Sequence, residues 1–219
     1  MEPVFFLIIA LVITSVFLIR AEIGKMRRQI YVLKPICTLL VIGIALSALL
    51  QPAPDLTLVT GVLIGLLFSF GGDMALMFPD NRKAFMIGLV LFLLAHIAYT
   101  VLFTWLGSFT AWDILSTLVL LAGGVYFYTL IRPNLGKMKI HVIVYIVVIS
   151  LMVILAISTL FSSSLSINQG LMIAVGSVLF YISDLILAAG RYWKPWKYHR
   201  ISLAFYYAGQ LLIALAASL

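Results

Sequence analysis

The chain has 219 residues, of which 64% are hydrophobic and only 10% charged, too few polar groups to coat a water-soluble globule. A formal net charge of +7 would suggest a nucleic-acid surface in a soluble protein, but here the basic residues sit in short connections between apolar stretches, which excludes nucleic acid as a partner. Lipid is the solvent for most of this chain.

A transmembrane helix needs about 20 mostly apolar residues, because a rise of about 1.5 Å per residue has to cross a hydrocarbon core about 30 Å thick. Stretches over residues 3–19, 35–50, 57–79, 84–106, 111–131, 140–161, 167–189 and 199–218 meet this requirement and predict an all-α, eight-span membrane bundle forming one domain over 1–219. The first opens Met1-Glu-Pro-Val, without a basic leader, and its basic cluster follows the apolar run, so it is expected to remain in the membrane. Span boundaries coincide with helix punctuation at Gln51-Pro-Ala-Pro-Asp55, Phe78-Pro-Asp80, Arg132-Pro-Asn134 and Lys194-Pro-Trp196. No connection is long enough for a separate soluble domain.

All 14 Lys and Arg residues are placed in odd-to-even connections: Arg20, Lys25, Arg27, Arg28 and Lys34 after span 1, Arg82 and Lys83 after span 3, Arg132, Lys137 and Lys139 after span 5, and Arg191, Lys194, Lys197 and Arg200 after span 7. Positive-inside sorting then places those connections in the cytosol and both termini on the other side, as for a multi-pass protein of a bacterial cytoplasmic membrane. Losing or adding a span would scatter the basic residues over both faces. Cys37 is the single cysteine, so no intrachain disulfide or thiolate cluster is possible.

Spans 3–4 and 7–8 are similar. Phe70-Gly-Gly-Asp73-Met-Ala-Leu76 aligns with Tyr181-Ile-Ser-Asp184-Leu-Ile-Leu187, and Phe92-Leu-Leu-Ala95-His96 with Phe205-Tyr-Tyr-Ala208-Gly209-Gln210. This is the pattern of a parallel 4+4 repeat.

Of the seven acidic residues, Glu2, Glu22, Asp55, Asp80 and Asp113 fall in loops or at helix ends, whereas Asp73 and Asp184 lie within spans. On the boundaries above, each is five or six residues inside the cytosolic end of its span, about 8–9 Å deep. A carboxylate there costs about 2.5–3.5 kcal/mol on insertion scales, so it faces a partner, the bundle interior or a water-filled cavity. Two at matching depth predict a shared polar cavity. Span 4 adds His96, with Tyr99 and Thr100 one turn on, and span 8 carries Ser202, Tyr206 and Gln210 on one stripe. The bland reading makes these interhelical hydrogen bonds, with Arg82 or Arg191 snorkelling to the acids. His96, His141 and His199 fall on different spans or loops without metal-ligand spacing, and no phosphate loop, dinucleotide fingerprint or nucleophile elbow is present, so neither a metal nor another cofactor is expected.

Leu33-Lys34-Pro35, Gly71-Gly72-Asp73-Met74-Ala75-Leu76-Met77, Phe92-Leu-Leu-Ala95-His96-Ile-Ala98-Tyr99, Tyr181-Ile-Ser183-Asp184-Leu185-Ile186-Leu187 and Tyr206-Tyr207-Ala208-Gly209-Gln210 occur in order on spans 2, 3, 4, 7 and 8. In these motifs the chain resembles the YhhN and transmembrane protein 86 group, known as lysoplasmalogenases. The resemblance implies eight spans and hydrolysis of the vinyl-ether bond of a lysophospholipid, releasing a fatty aldehyde and glycerophosphoethanolamine or glycerophosphocholine.

Vinyl-ether hydrolysis begins with protonation of the distal alkene carbon, and water then captures the oxocarbenium ion. Asp73 and Asp184 are the candidates for the acid and the water-activating or cation-stabilising roles, which the sequence does not divide between them. His96, Tyr99, Tyr206 and Gln210 are candidates to orient water or glycerol hydroxyls, and Lys34, Arg82 and Arg191, read as lying on the cytosolic rim, to hold the phosphate. Two other classes use similar residues: a proton-coupled transporter, and a non-catalytic lipid-binding protein whose acids are structural.

Overall fold

The computed structural model describes residues 2–78, 80–194, 196 and 199–218, with side chains for all of these except 2, 3 and 199. Pro79, Pro195 and Lys197, singled out above, lie outside the described residues. Among those described are eight α-helices: α1 (Glu2–Ile23), α2 (Arg27–Ser47), α3 (Leu56–Leu76), α4 (Arg82–Leu106), α5 (Ala111–Ile131), α6 (Lys139–Ser158), α7 (Ile167–Tyr192) and α8 (Ser202–Ala217). The first seven are long and apolar enough to cross a membrane. The eighth is apolar but has 16 residues, a rise of about 24 Å, and a 3-10 turn at His199–Ile201 leads into it. The protein is a polytopic helical membrane bundle.

Helix starts follow local chemistry. Asp55 caps α3 by accepting from the Leu58 amide at 3.0 Å, and Asn81 caps α4 through the Lys83 and Ala84 amides at 2.9 and 3.2 Å. At α5 the Asp113 carboxylate accepts from the Thr110 amide and hydroxyl at 2.6 and 3.0 Å. The last carbonyls of α8 are met by two glutamines: Gln169 Nε2 donates to the Ala216 carbonyl at 3.2 Å, and Gln51 Nε2 donates to that of Ser218.

Two boundaries differ from the sequence expectation in ways that move site residues. Helix α2 starts at Arg27 and carries Pro35 in its interior, whereas the sequence reading opened the span at Pro35. Proline is favoured in the first turn because it lacks a donor. Here two turns, opening with Arg27-Arg28-Gln29, precede it, carrying Lys34 into the helix. At the other acid-bearing helices, α3 stops at Leu76 and α7 runs on to Tyr192. Asp73 is therefore about one turn from its helix end and Asp184 about two, so their depths do not match by residue count.

Consecutive helices pair as α1/α2, α3/α4, α5/α6 and α7/α8; α2 also packs on α3 and α8, and α6 on α7 and α4. Exchanging helices 1–4 for 5–8 maps these pairings onto themselves, with α2/α8 becoming α6/α4. The exchange is approximate, because α8 also packs on α1 and α3 while α4 has no equally extensive packing on α5 or α7. Helices α7 and α8 approach closely, and a Cβ on Gly209 would lie 2.6 Å from the Gly176 carbonyl oxygen. On α3, Gly65 and Gly72 admit the rings of Tyr99 and Phe92 from α4 in the same way. Helices α1 and α5 lie at the periphery and leave Phe5, Val12, Val16, Leu118, Val119 and Val125 exposed for lipid.

Candidate active site

Each intramembrane acid is reached from two neighbouring helices. Asp73 on α3 is 2% exposed. From α2, the Thr38 hydroxyl donates to its Oδ2 at 2.7 Å and the Lys34 ammonium lies 3.5 Å from its Oδ1. From α8, the Tyr206 hydroxyl donates to the same Oδ2 at 2.8 Å. Lys34 and Thr38 are one helical turn apart and so share the face that meets Asp73. Just behind them, the Tyr207 hydroxyl donates to the Lys34 carbonyl at 3.4 Å.

Asp184 on α7 is met from α6 and α4. The Tyr145 hydroxyl donates to its Oδ2 at 2.6 Å, and His96 Nε2 stands 3.7 Å from that oxygen. The His96 ring is fully buried between Phe180, at a centroid separation of 4.7 Å, and Tyr145, at 5.2 Å. Phe180 continues the aromatic wall to Tyr206 at 5.2 Å, which links the surroundings of the two acids.

Asp73 and Asp184 line a single cavity of about 110 Å³, together with Tyr145, Tyr206 and Ser183 and walls of Leu76, Leu89, Phe92, Ile146 and Ile149. An apolar chamber with a few converging polar groups is the form of a small-molecule site. Arg191 also lines it, its guanidinium carbon 3.6 Å from the centroid of the Phe85 ring. Stacking covers one face of the guanidinium and leaves its edge N–H groups free to meet an anion. Among the described residues, no three His, Cys, Asp or Glu side chains gather into a group that could hold a metal ion.

The sequence pattern of the YhhN family matches residues 29–217. The chain belongs to the YhhN family. It is similar to the lysoplasmalogenase TMEM86A of Bos taurus, with 32% identity over 163 residues, covering 72% of this chain and 65% of that protein. The match thus spans slightly less than two thirds of the curated relative's length. No solved structure matches.

In this YhhN chain, Tyr206 meets Asp73 and His96 lies beside Asp184, so both face an acid. Tyr99 and Gln210 face each other instead: the Tyr99 hydroxyl donates to Gln210 Oε1 at 2.8 Å, and Gln210 Nε2 donates to the Ser69 hydroxyl at 2.9 Å. They tie α3, α4 and α8 together one turn away from Asp73 and do not line the cavity. Thr100 bonds back to the His96 carbonyl at 2.7 Å. Arg191 is at the cavity, and Arg82 is exposed at the start of α4, away from it. Lys34 departs furthest from expectation: it is 4% exposed beneath Asp73 and not on the rim, because α2 begins two turns before it.

Thr38 and Tyr145 escaped the sequence reading. A usable signal existed for both. Thr38 is one turn beyond Lys34, and Tyr145 precedes Asp184 by 39 residues, the same spacing by which Lys34 precedes Asp73.

Proposed function

We propose that this protein hydrolyses the vinyl-ether bond of lysoplasmalogens, giving a fatty aldehyde and glycerophosphoethanolamine or glycerophosphocholine. The observation that carries the proposal is the convergence of Asp73 and Asp184, from separate helices, on one apolar cavity inside the membrane bundle. The similarity to a curated lysoplasmalogenase supports it.

The chemistry needs little machinery. A carboxylic acid protonates the distal alkene carbon, a carboxylate stabilises the oxocarbenium ion, and water adds to give a hemiacetal that collapses. The cavity supplies two carboxyl groups flanked by hydroxyls of Tyr145 and Tyr206 able to orient water. Arg191 lies two turns beyond Asp184 on the same helix, about 10 Å along its axis, a gap that a glycerophosphate backbone bridges when the phosphate meets the guanidinium. The hydrocarbon chain then occupies the apolar walls. Positive-inside sorting puts the Arg191 end in the cytosol, so the headgroup is drawn from the inner leaflet.

The test is release of fatty aldehyde from a lysoplasmalogen by purified protein in detergent, with the acyl lysolipid as control and folded Asp73→Asn and Asp184→Asn variants alongside. Aldehyde from the wild type, and about 10³-fold less from the variants, is expected. A wild type that binds lysolipid without turnover, or that needs a proton gradient to move it, would refute the hydrolase assignment.

A further inference from the structure

Each aspartate is met by a residue 39 positions before it, Lys34 for Asp73 and Tyr145 for Asp184, but the two have unlike neighbours. Resting on the vinyl-ether reading, we infer that Asp184 is the proton donor and Asp73 the permanent carboxylate that stabilises the cation, with Lys34 and Tyr145 as the positioning residues that set them apart.

Both oxygens of Asp73 are engaged: Oδ1 faces the Lys34 ammonium at 3.5 Å and Oδ2 accepts from Thr38 and Tyr206 at 2.7 and 2.8 Å. A lysine buried this deeply has to be paired, because an isolated charge out of water is costly. A proton moved onto Asp73 would remove the counter-ion that pairs Lys34. Asp73 is thus fixed in the form that a neighbouring oxocarbenium ion requires, and it has no proton to give.

Asp184 has no such partner. Among the described residues no Lys or Arg forms an ion pair with it. The groups facing it are the Tyr145 hydroxyl from α6, His96 from α4 and, across the shared cavity, Tyr206, Asp73 and Arg191. Tyr145 and His96 both approach Oδ2, and no described residue hydrogen-bonds Oδ1. A carboxylic acid fits this arrangement: Oδ2 is the carbonyl oxygen receiving the tyrosine, and Oδ1 carries the proton toward the cavity. The fixed Asp73 anion in the same chamber further disfavours a second negative charge. The spacing of 39 residues recurs here, since the two halves present the same acid with an ammonium at the partner position in one and a phenol in the other.

The steps balance without any redox partner. The Asp184 O–H bond breaks as the alkene pair forms a C–H bond at the distal carbon, leaving an oxocarbenium ion opposite Asp73. Water bonds to the cationic carbon and returns one proton to Asp184. The hemiacetal then loses its hydroxyl proton as the carbon–oxygen bond to glycerol breaks and the glycerol oxygen is protonated, leaving aldehyde and alcohol.

Infrared spectroscopy of the purified full-length protein without substrate locates the proton directly. A protonated-carboxyl band present in the wild type is expected to vanish in Asp184→Asn, to persist in Asp73→Asn and to shift in Tyr145→Phe, which removes the hydroxyl bond to Asp184. Should Asp184→Asn fail to fold, Asp184→Glu is expected to move the band. In the aldehyde assay Asp184→Asn loses about 10³-fold in turnover, as for a missing general acid, and Tyr145→Phe lowers kcat with KM unchanged. A band that disappears in Asp73→Asn, or that survives in Asp184→Asn, overturns the inference. Failure of wild-type protein to release aldehyde would instead refute the vinyl-ether reading, which the substrate-free spectra do not depend on.

Discussion

Replacing Lys34 by methionine tests the charge state of the site most directly. The substitution keeps the apolar stem and deletes the ammonium, leaving Asp73 buried with the Thr38 and Tyr206 hydroxyls but no cation. With 4% and 2% exposure for the two partners, solvent does little to screen the loss. Removing one member of a buried pair costs about 3–5 kcal/mol, and the two retained hydroxyl bonds put this case near the lower figure, about 3 kcal/mol. For a chain of this size each kcal/mol moves Tm by roughly 2–4 °C, so Lys34→Met is expected to melt about 6–12 °C below the wild type. Adding Asp73→Asn removes the stranded charge and recovers most of that loss, because deleting a buried pair as a unit is often nearly neutral. Thermal unfolding in one detergent of the wild type, the two single variants and the double variant completes the cycle. A Lys34→Met protein melting within about 1 °C of the wild type would mean less than about 0.5 kcal/mol of pairing and would sink the claim that Asp73 is an anion held by Lys34.

Three further outcomes follow from other parts of the structure. Gly209→Ala places a Cβ 2.6 Å from the Gly176 carbonyl oxygen and forces α7 and α8 apart, at a cost of about 1–3 kcal/mol; lower Tm and monodisperse yield are expected, while Gly123→Ala, with nothing within 4 Å, leaves both unchanged. Arg191→Gln keeps polarity but removes the charged fork at the cavity, so KM for a lysophospholipid is expected to rise about tenfold with kcat little changed, as read from steady-state aldehyde release. Asp113→Ala removes the carboxylate half of the α5 capping box, remote from the cavity, so about 1 kcal/mol of stability should be lost with turnover retained, measured by melting and activity on the same preparation.

How far each feature was legible depended on whether its cause is local. The number and order of helices could be read directly, since each span is an apolar run bounded by polar or proline-containing segments, and Asp55 and Asn81 mark two starts by their own side chains. The start of α2 could not: Met26 precedes it without a side-chain cap bond, and Pro35 offers a false first turn. That single error moved Lys34 from a helix end to a buried place beside Asp73. Asp73, Asp184, Tyr206 and His96 stood out because a polar group in a span must face inward, whichever partner it finds. Tyr145 did not, because a tyrosine among isoleucines and valines reads as packing until α6 is placed beside α7. Gln210 shares a stripe with Tyr206, yet one turn is enough to separate a residue on the acid from one that joins Tyr99 and Ser69. Periodicity fixes the face of a helix, and only tertiary packing decides which neighbour that face meets.

The pairing of helices bears on why the site has two unlike acids. Helices α3 and α7 bring Asp73 and Asp184 into a common chamber, and identical surroundings would make the two titrate as a coupled pair sharing one proton. Protonation of an alkene asks for more than that: a donor aimed at carbon and, at the same moment, an anion already in place where positive charge develops. The exchange that separates the roles is small. At the position 39 residues before the acid one half carries Lys34 and the other Tyr145, and both reach the carboxyl from the preceding even-numbered helix. An ammonium fixes its partner as an anion; a phenol can donate to that partner in either charge state. On this reading the scaffold supplies the symmetry that brings the carboxyls together, and one substituted side chain supplies the asymmetry that the reaction needs.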